Sequence, residues 1–273
     1  MVVEVGPGVK NIHVGDRVAV HLGFGCMRCE YCLQGYTMLC NEWKCLGFDV
    51  NGGDADYVVV PAVNCLPIPE GMSFEAGAVA TDMLGTQYSA QERLQVSGAT
   101  TVAIFGMGPM GTAGVMVAKA RGARVISVDP LPARLDLASK LGADITIMPV
   151  EDTIVDQLKE TTDGGPDMSI DCSGNPMAEN WALDATRKLG RVAFVGESRS
   201  TTINPSDQFL RKMLTVIGAW YFPLWQWTAI ARFVVEHKLP LEEMITHRFG
   251  LDDAPEAFHL FDVRATEKVV FAP

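Results

Sequence analysis

The chain has 273 residues, enough for two domains with separate cores. Hydrophobic residues make up 48% and charged residues 20%, the balance of an ordinary folded protein, and a formal net charge of -11 excludes a nucleic-acid surface, which needs clustered Lys and Arg. No apolar run reaches the roughly 20 residues of a membrane-crossing helix, and Met1 to Lys10 lacks a signal peptide's basic-then-apolar pattern. A cytoplasmic protein with neither membrane nor nucleic acid among its partners is therefore expected. Of seven cysteines, four crowd between Cys26 and Cys40, which fits a metal site in a reducing compartment better than a disulfide framework.

Residues 1 to 73 read as short strands and turns. Val2 to Val5, Arg17 to His21 and Asp56 to Val60 are β-prone, and Gly, Pro, Asn and Asp separate them. From Phe74 the pattern changes. Glu75 to Leu94 reads as helical, and strands then alternate with helices. The predicted strands are Thr101 to Phe105, Arg124 to Val128, Ile145 to Ile147, Met168 to Cys172, Arg191 to Val195 and Thr215 to Ala219. The predicted helices between them are Met110 to Arg121, Pro132 to Leu141, Ile154 to Glu160 and Met177 to Leu189. Such alternation means crossover connections and a parallel sheet covered on both faces. The chain closes with helices near Trp227 to His237 and Ala254 to Asp262 and a strand at Lys268 to Phe271.

The strand at Thr101 runs into Gly106-Met-Gly-Pro-Met-Gly111 and then into a helix. Gly106 permits a tight turn, Gly108 lets backbone approach a pyrophosphate, and Gly111 lets helix pack on strand. The helix N-terminus at Pro109 and Met110 offers unpaired N–H groups to phosphates. Asp129, 21 positions beyond Gly108, ends the next strand, where a carboxylate binds both ribose hydroxyls and repels a 2′-phosphate. NAD rather than NADP is the expected coenzyme; an aspartate that only caps a helix is the competing reading. Arg134 either stacks on adenine or pairs with a surface carboxylate. Asp171 to Pro176, with Ser173, and Val195 to Ser198, with Val195 and Gly196, are strand-end loops at the edge where a dinucleotide lies.

Cys26-x2-Cys29-x2-Cys32-x7-Cys40 places four thiols within fifteen residues. Four thiolates around zinc leave no open position for chemistry, so this is a structural site. An iron–sulfur cluster takes the same ligands, but an electron carrier would not need the nucleotide fold that follows. Cys45, Cys65 and Cys172 stand alone and read as small core residues.

Together and in this order, these motifs resemble the zinc-dependent medium-chain dehydrogenase/reductase family, whose members include alcohol and polyol dehydrogenases. Gly15-Asp-Arg-Val18, the four-cysteine lobe, Gly52-Gly53 with Ala55-Asp56-Tyr57, Gly106 to Gly111, Asp129 and the closing Lys268-Val-Val all look like family landmarks. The resemblance implies an α/β fold: a Rossmann doubly wound parallel sheet plus an incomplete GroES-like β domain with a structural zinc lobe. It places a GroES-like catalytic domain at 1–83 with its lobe at 26–40, a Rossmann domain at 84–219, and a return to the catalytic domain at 220–273. It also implies a catalytic zinc, with Asp82 in Thr81-Asp82-Met-Leu-Gly-Thr86 at one ligand position; a buried helix aspartate with local hydrogen bonds is the alternative. Lys268 either reaches the pyrophosphate or is a surface lysine.

In the family a cysteine and a Gly-His-Glu histidine complete the catalytic site ahead of a Val-Val-Glu-Val-Gly-Pro-Gly stretch. Here that stretch begins at Val2, and none of the five histidines sits in a Gly-His-Glu, so an N-terminally truncated and impaired chain is expected. The family reaction is hydride transfer between an alcohol and NAD, and an aspartate ligand points to a secondary alcohol or polyol. Trp43, Trp220, Tyr221, Trp225 and Trp227 are candidates to line the substrate site or simply to fill core. A homodimer or homotetramer is expected from the strand near Ile217 to Tyr221. The alternative function is a catalytically inactive protein that binds NAD and zinc.

Overall fold

Glycine, proline and aspartate recur every few residues ahead of Phe74, and the strands between them stay short. A computed structural model describes residues 1–272 and divides the chain into two compact units, Met1–Thr86 with Tyr221–Pro273, and Gln87–Trp220.

The first unit begins with β1 (Val18–Val20), β2 (Gly23–Phe24), a one-turn helix α1 (Glu30–Leu33), β3 (Lys44–Cys45) and β4 (Cys65–Pro67). β1 pairs antiparallel with β4, and β2 with β3. Two β-prone stretches form no strand. Val2 instead exchanges backbone bonds with Gly15 and Asp16. Asp56 to Val60 has no ladder partner among the described residues, and Tyr57 and Val59 stand 74% and 96% exposed. Propensity favours the extended shape, but the hydrogen bonds of a neighbouring strand are what stabilise it. Ser73 then caps α2 (Phe74–Val79) by accepting the Ala76 N–H at 2.9 Å. The helical stretch predicted over 75–94 is interrupted by a π-helical turn at Ala80–Leu84 before α3 (Gly85–Leu94) resumes.

In the second unit, β5 (Thr101–Phe105), α4 (Pro109–Ala120), β6 (Arg124–Val128), α5 (Pro132–Lys140), β7 (Ile145–Ile147), α6 (Ile154–Thr161), β8 (Met168–Asp171), α7 (Pro176–Ala185), β9 (Arg191–Phe194) and β10 (Thr215–Gly218) follow the predicted alternation closely. All the sheet pairings are parallel, in the order β10-β9-β8-β5-β6-β7. Numbered within the sheet this is 6-5-4-1-2-3, the doubly wound order, with its switch point between β5 and β8. The central strands are buried on both faces, which is why they read as continuous apolar runs. One face packs Phe105, Ile126 and Val128 against Ile154 and Leu158 of α6 and Leu183 of α7. A second π-turn at Pro205–Leu210 carries no sequence signal in the helix-strand alternation.

The first unit resumes with α8 (Trp227–Glu236), β11 (Ile245–Phe249), α9 (Ala254–Asp262) and β12 (Lys268–Phe271), with β11 parallel to β12. Trp227 is core here: it stacks on Phe222, and its indole N–H donates to the Pro67 carbonyl at 2.8 Å.

Leu158 is fully buried in the α6 contact with the sheet. Leu158→Ala should cost roughly 2–5 kcal/mol by cavity formation, seen as a lowered urea midpoint. An unchanged midpoint would show that this helix is not part of the core.

Candidate coenzyme and metal sites

β5 ends where the backbone must turn at once into α4, and only glycine can do it. Gly106 has φ +88°, and a Cβ there would lie 2.8 Å from the Ser173 Cβ. A Cβ on Gly111 would meet the Gly106 carbonyl oxygen at 1.8 Å. Gly108 is different. The nearest atom to a Cβ there is the Arg134 Nη1 at 3.8 Å, so no protein atom demands its glycine. A side chain at Gly108 would fill only the space in front of α4. Gly108 is also the N-cap of α4, and no side chain caps that end, so the first-turn N–H groups, Met110 and Gly111 among them, face outward. This is a cradle of the kind that binds a pyrophosphate.

Asp129, 3% exposed, lies at the end of β6. Its Oδ2 accepts the Met107 N–H at 2.7 Å and its Oδ1 accepts the Leu131 N–H at 2.8 Å. A carboxylate has about four acceptor positions, so two remain beyond these backbone bonds. Asp129 thus braces the glycine turn while keeping acceptors free. Arg134 lies 3.8 Å from the Asp129 carboxylate, which is buried rather than a surface partner. Val195 and Gly196, at the end of β9, donate their N–H groups to the Asp171 carbonyl at 2.9 and 3.0 Å, and Ser173 packs behind Gly106.

In the first unit the four cysteines of the lobe converge, with their sulfurs all within 4.8 Å of one another. A zinc tetrahedron with Zn–S near 2.3 Å has S···S edges of about 3.8 Å, so a small contraction would seat the ion. The local chain supports thiolates there. Cys40 Sγ accepts the N–H groups of Cys26 and Glu42, both at 3.3 Å, and Cys29 Sγ accepts that of Cys32 at 3.5 Å. The Arg28 N–H draws the Cys26 thiol down to about 7, whereas burial pushes Cys32 up to about 12. Gly25 allows this crowding, since a Cβ there would sit 2.6 Å from the Cys32 sulfur. Among the described residues these cysteines are the one cluster of three or more His, Cys, Asp or Glu arranged to hold a metal.

Asp82 occupies the π-turn that follows α2, a distortion frequent at functional positions. Burial pushes its carboxyl above the usual range, and the Lys268 ammonium on β12 opposes that. Its charge in turn reaches the buried Cys45 thiol, which takes a hydrogen bond from Tyr221. Tyr221 sits in the left-handed region at φ +53°. Its ring lies 6.3 Å from that of Trp43 and 5.8 Å from that of the buried His21. Lys268 therefore lies in the same unit as Asp82, a neighbour that sequence spacing could not reveal. Of the other aromatic candidates, Trp225 packs over Gly35, and Trp220 is 42% exposed. Cys172 accepts the Gln87 amide at 3.1 Å, a contact that likewise has no linear signal.

The glycines separate two kinds of constraint. Gly111→Ala should cost about 1–3 kcal/mol through backbone overlap. Gly108→Ala should cost no more than the ~1 kcal/mol of a weaker helix cap and should weaken NADH binding about tenfold, ~1.4 kcal/mol, as read by fluorescence titration. For the lobe, Cys40→Ser should abolish zinc retained through gel filtration, measured by metal analysis of the eluted chain.

Two family models match the chain: the alcohol dehydrogenase GroES-like domain over residues 1–70, and the zinc-binding dehydrogenase over residues 109–236. The chain is 38% identical to the L-threonine 3-dehydrogenase of Pyrococcus horikoshii, over 99% of its own length and 78% of that protein. It is 36% identical to the L-idonate 5-dehydrogenase of Vitis vinifera, over 93% of its length and 72% of that protein. Among solved structures it superposes on the alcohol dehydrogenase TADH from Thermus sp. ATN1 with a TM-score of 0.92 at 29% identity, covering 99% of this chain and 81% of that one. The chain belongs to the zinc-binding alcohol dehydrogenase family, NAD-dependent oxidoreductases that carry a GroES-like domain.

Proposed function

We propose that the reaction is hydride transfer between a secondary alcohol or polyol and NAD, with Asp82 as a ligand of the catalytic zinc. The observation that carries this reading is the setting of Asp82: a buried carboxyl on a π-turn, electrostatically tied to Cys45, whose thiol takes a hydrogen bond from Tyr221. A zinc ion held there supplies the positive charge that acidifies an alcohol hydroxyl. The relatives' names fit this reading, because positions 3 of threonine and 5 of idonate are secondary alcohols.

In the nucleotide-binding unit, the N–H groups at the start of α4 would take the pyrophosphate, and the Asp129 carboxylate would accept both adenosine ribose hydroxyls. A 2′-phosphate brought to that buried carboxylate would be repelled, which favours NAD over NADP.

Residues 1–272 bring no second cluster of three or more metal-binding groups together. We therefore propose that these 273 residues by themselves hold one zinc firmly and turn over slowly. The same observation favours a second reading, a chain that binds NAD and zinc without catalysis. The edge position of β10 supports assembly into a homodimer or homotetramer by strand pairing. No helix among the described residues is long and apolar enough to cross a membrane, and cytoplasm is the compartment we propose.

NADH formation over a panel of alcohols should show kcat/KM for secondary alcohols and polyols about tenfold or more above that for primary ones. Asp82→Asn should remove activity and leave NADH binding intact. Asp129→Ala should lower the preference for NAD over NADP about tenfold. A chain that binds NADH and one zinc but reduces NAD with no alcohol would leave the second reading standing.

A further inference from the structure

Three strand ends meet at the carboxyl edge of the six-stranded sheet, and one residue holds two of them directly and the third through its neighbours. Asp171, at the end of β8, is completely buried. Its Oδ1 accepts the Ser173 hydroxyl at 2.6 Å and the Ser173 N–H at 3.2 Å, and its Oδ2 accepts the Gly174 N–H at 3.0 Å. Its carbonyl oxygen takes the Val195 and Gly196 N–H groups from β9. Next along the chain, the Cys172 N–H donates to the Phe105 carbonyl of β5 at 2.8 Å, and Ser173 fills the space behind Gly106. The loops interlock without room to spare. A Cβ on Gly196 would lie 2.2 Å from the Gly174 nitrogen and 2.8 Å from the Asp171 Oδ2.

A buried carboxyl group with no cation against it is costly unless donors compensate. Burial pushes the Asp171 pKa above the usual carboxylate range, and the three Ser173 and Gly174 donors oppose that. The other buried carboxyl nearby, Glu179 on α7, adds repulsion rather than relief. An apolar residue of the same size would leave those three donors unpaired, so the carboxyl holds the Ser173–Gly174 turn rather than merely filling space.

The switch point gives the location a meaning. On this strand order, a dinucleotide bound at the switch point would lie across the junction of β5 and β8, with its adenosine half towards β6, where Asp129 stands, and its nicotinamide half towards β8 and β9. We propose that Asp171 is a positioning residue for the nicotinamide half of the coenzyme. It fixes the Ser173–Gly174 and Val195–Gly196 backbone into one shelf without touching the coenzyme itself. This inference rests on the NAD reading given above.

The test compares NADH with ADP-ribose, which carries the adenosine and pyrophosphate but no nicotinamide, by calorimetric titration of the zinc-loaded 273-residue chain. The parent chain should bind NADH more tightly than ADP-ribose. Asp171→Asn presents a donor to groups that are themselves donors. It should bind ADP-ribose within about twofold of the parent and NADH about tenfold more weakly. Ser173→Ala removes one donor without altering the carboxyl, and should show the same split in smaller measure even if Asp171→Asn fails to fold. Equal losses for both ligands would mean a general structural role, and unchanged NADH binding would mean no role; either overturns the proposal, as does a parent chain that gains nothing from the nicotinamide. A parent chain that binds neither ligand would instead sink the NAD reading, and this inference with it.

Discussion

Where β5, β8 and β9 end, backbone atoms approach one another so closely that side chains are excluded, and the nucleotide-binding unit is organised around that approach. Gly106, Gly111, Gly174 and Gly196 each sit where a Cβ would fall within 3 Å of a neighbouring atom. No side chain caps the first turn of α4, and the Met107 N–H of the glycine turn is held by the Asp129 carboxylate. A surface of backbone donors is rigid, because each donor is fixed by the strand or helix behind it. Gly108, by contrast, has no protein atom closer than 3.8 Å to where a Cβ would lie.

Two buried carboxylates anchor this edge, and they do so from opposite sides of the switch point. Asp129 joins the turn after β5 to the start of α5 through the Met107 and Leu131 N–H groups. Asp171 ties the β8 and β9 loops together. Asp129 is fed by two backbone donors, and Asp171 by two backbone donors and the Ser173 hydroxyl. Backbone donors cannot swing away as a lysine or arginine side chain can, so the loops they hold have little freedom. The cysteine lobe in the other unit follows a related logic. N–H groups of its own short turns point at the Cys29 and Cys40 sulfurs, so the chain is already shaped towards negative charge at the position an ion would take.

Elements buried on both faces were legible from the linear order of residues, because their constraints are local and strong. The apolar runs of β5, β6 and β8 and the 3.6-residue periodicity of α6 and α8 need no distant partner to be recognised. The glycine turn and the cysteine spacing were legible for the same reason: a phosphate cradle and a tetrathiolate knot each draw their key residues from one short segment. The stretches at Val2 to Val5 and Asp56 to Val60 misled, since strand propensity describes a residue's fit to a sheet and not whether a neighbouring strand is there to receive it.

Legible in the linear order alone, therefore, are the family, the parallel sheet, and the two motifs whose residues are neighbours along the chain. Tertiary structure decided what depends on residues far apart in number. It brought Lys268 to Asp82, Tyr221 to Cys45 and Trp43, and Arg134 against the buried Asp129. It also broke the helix after Val79 into a π-turn and made the Asp171 carboxyl and carbonyl the meeting point of two loops. The physical reason is one of range: backbone geometry and hydrophobic periodicity act within a few residues, whereas burial, charge and close packing act only after the chain has folded back on itself.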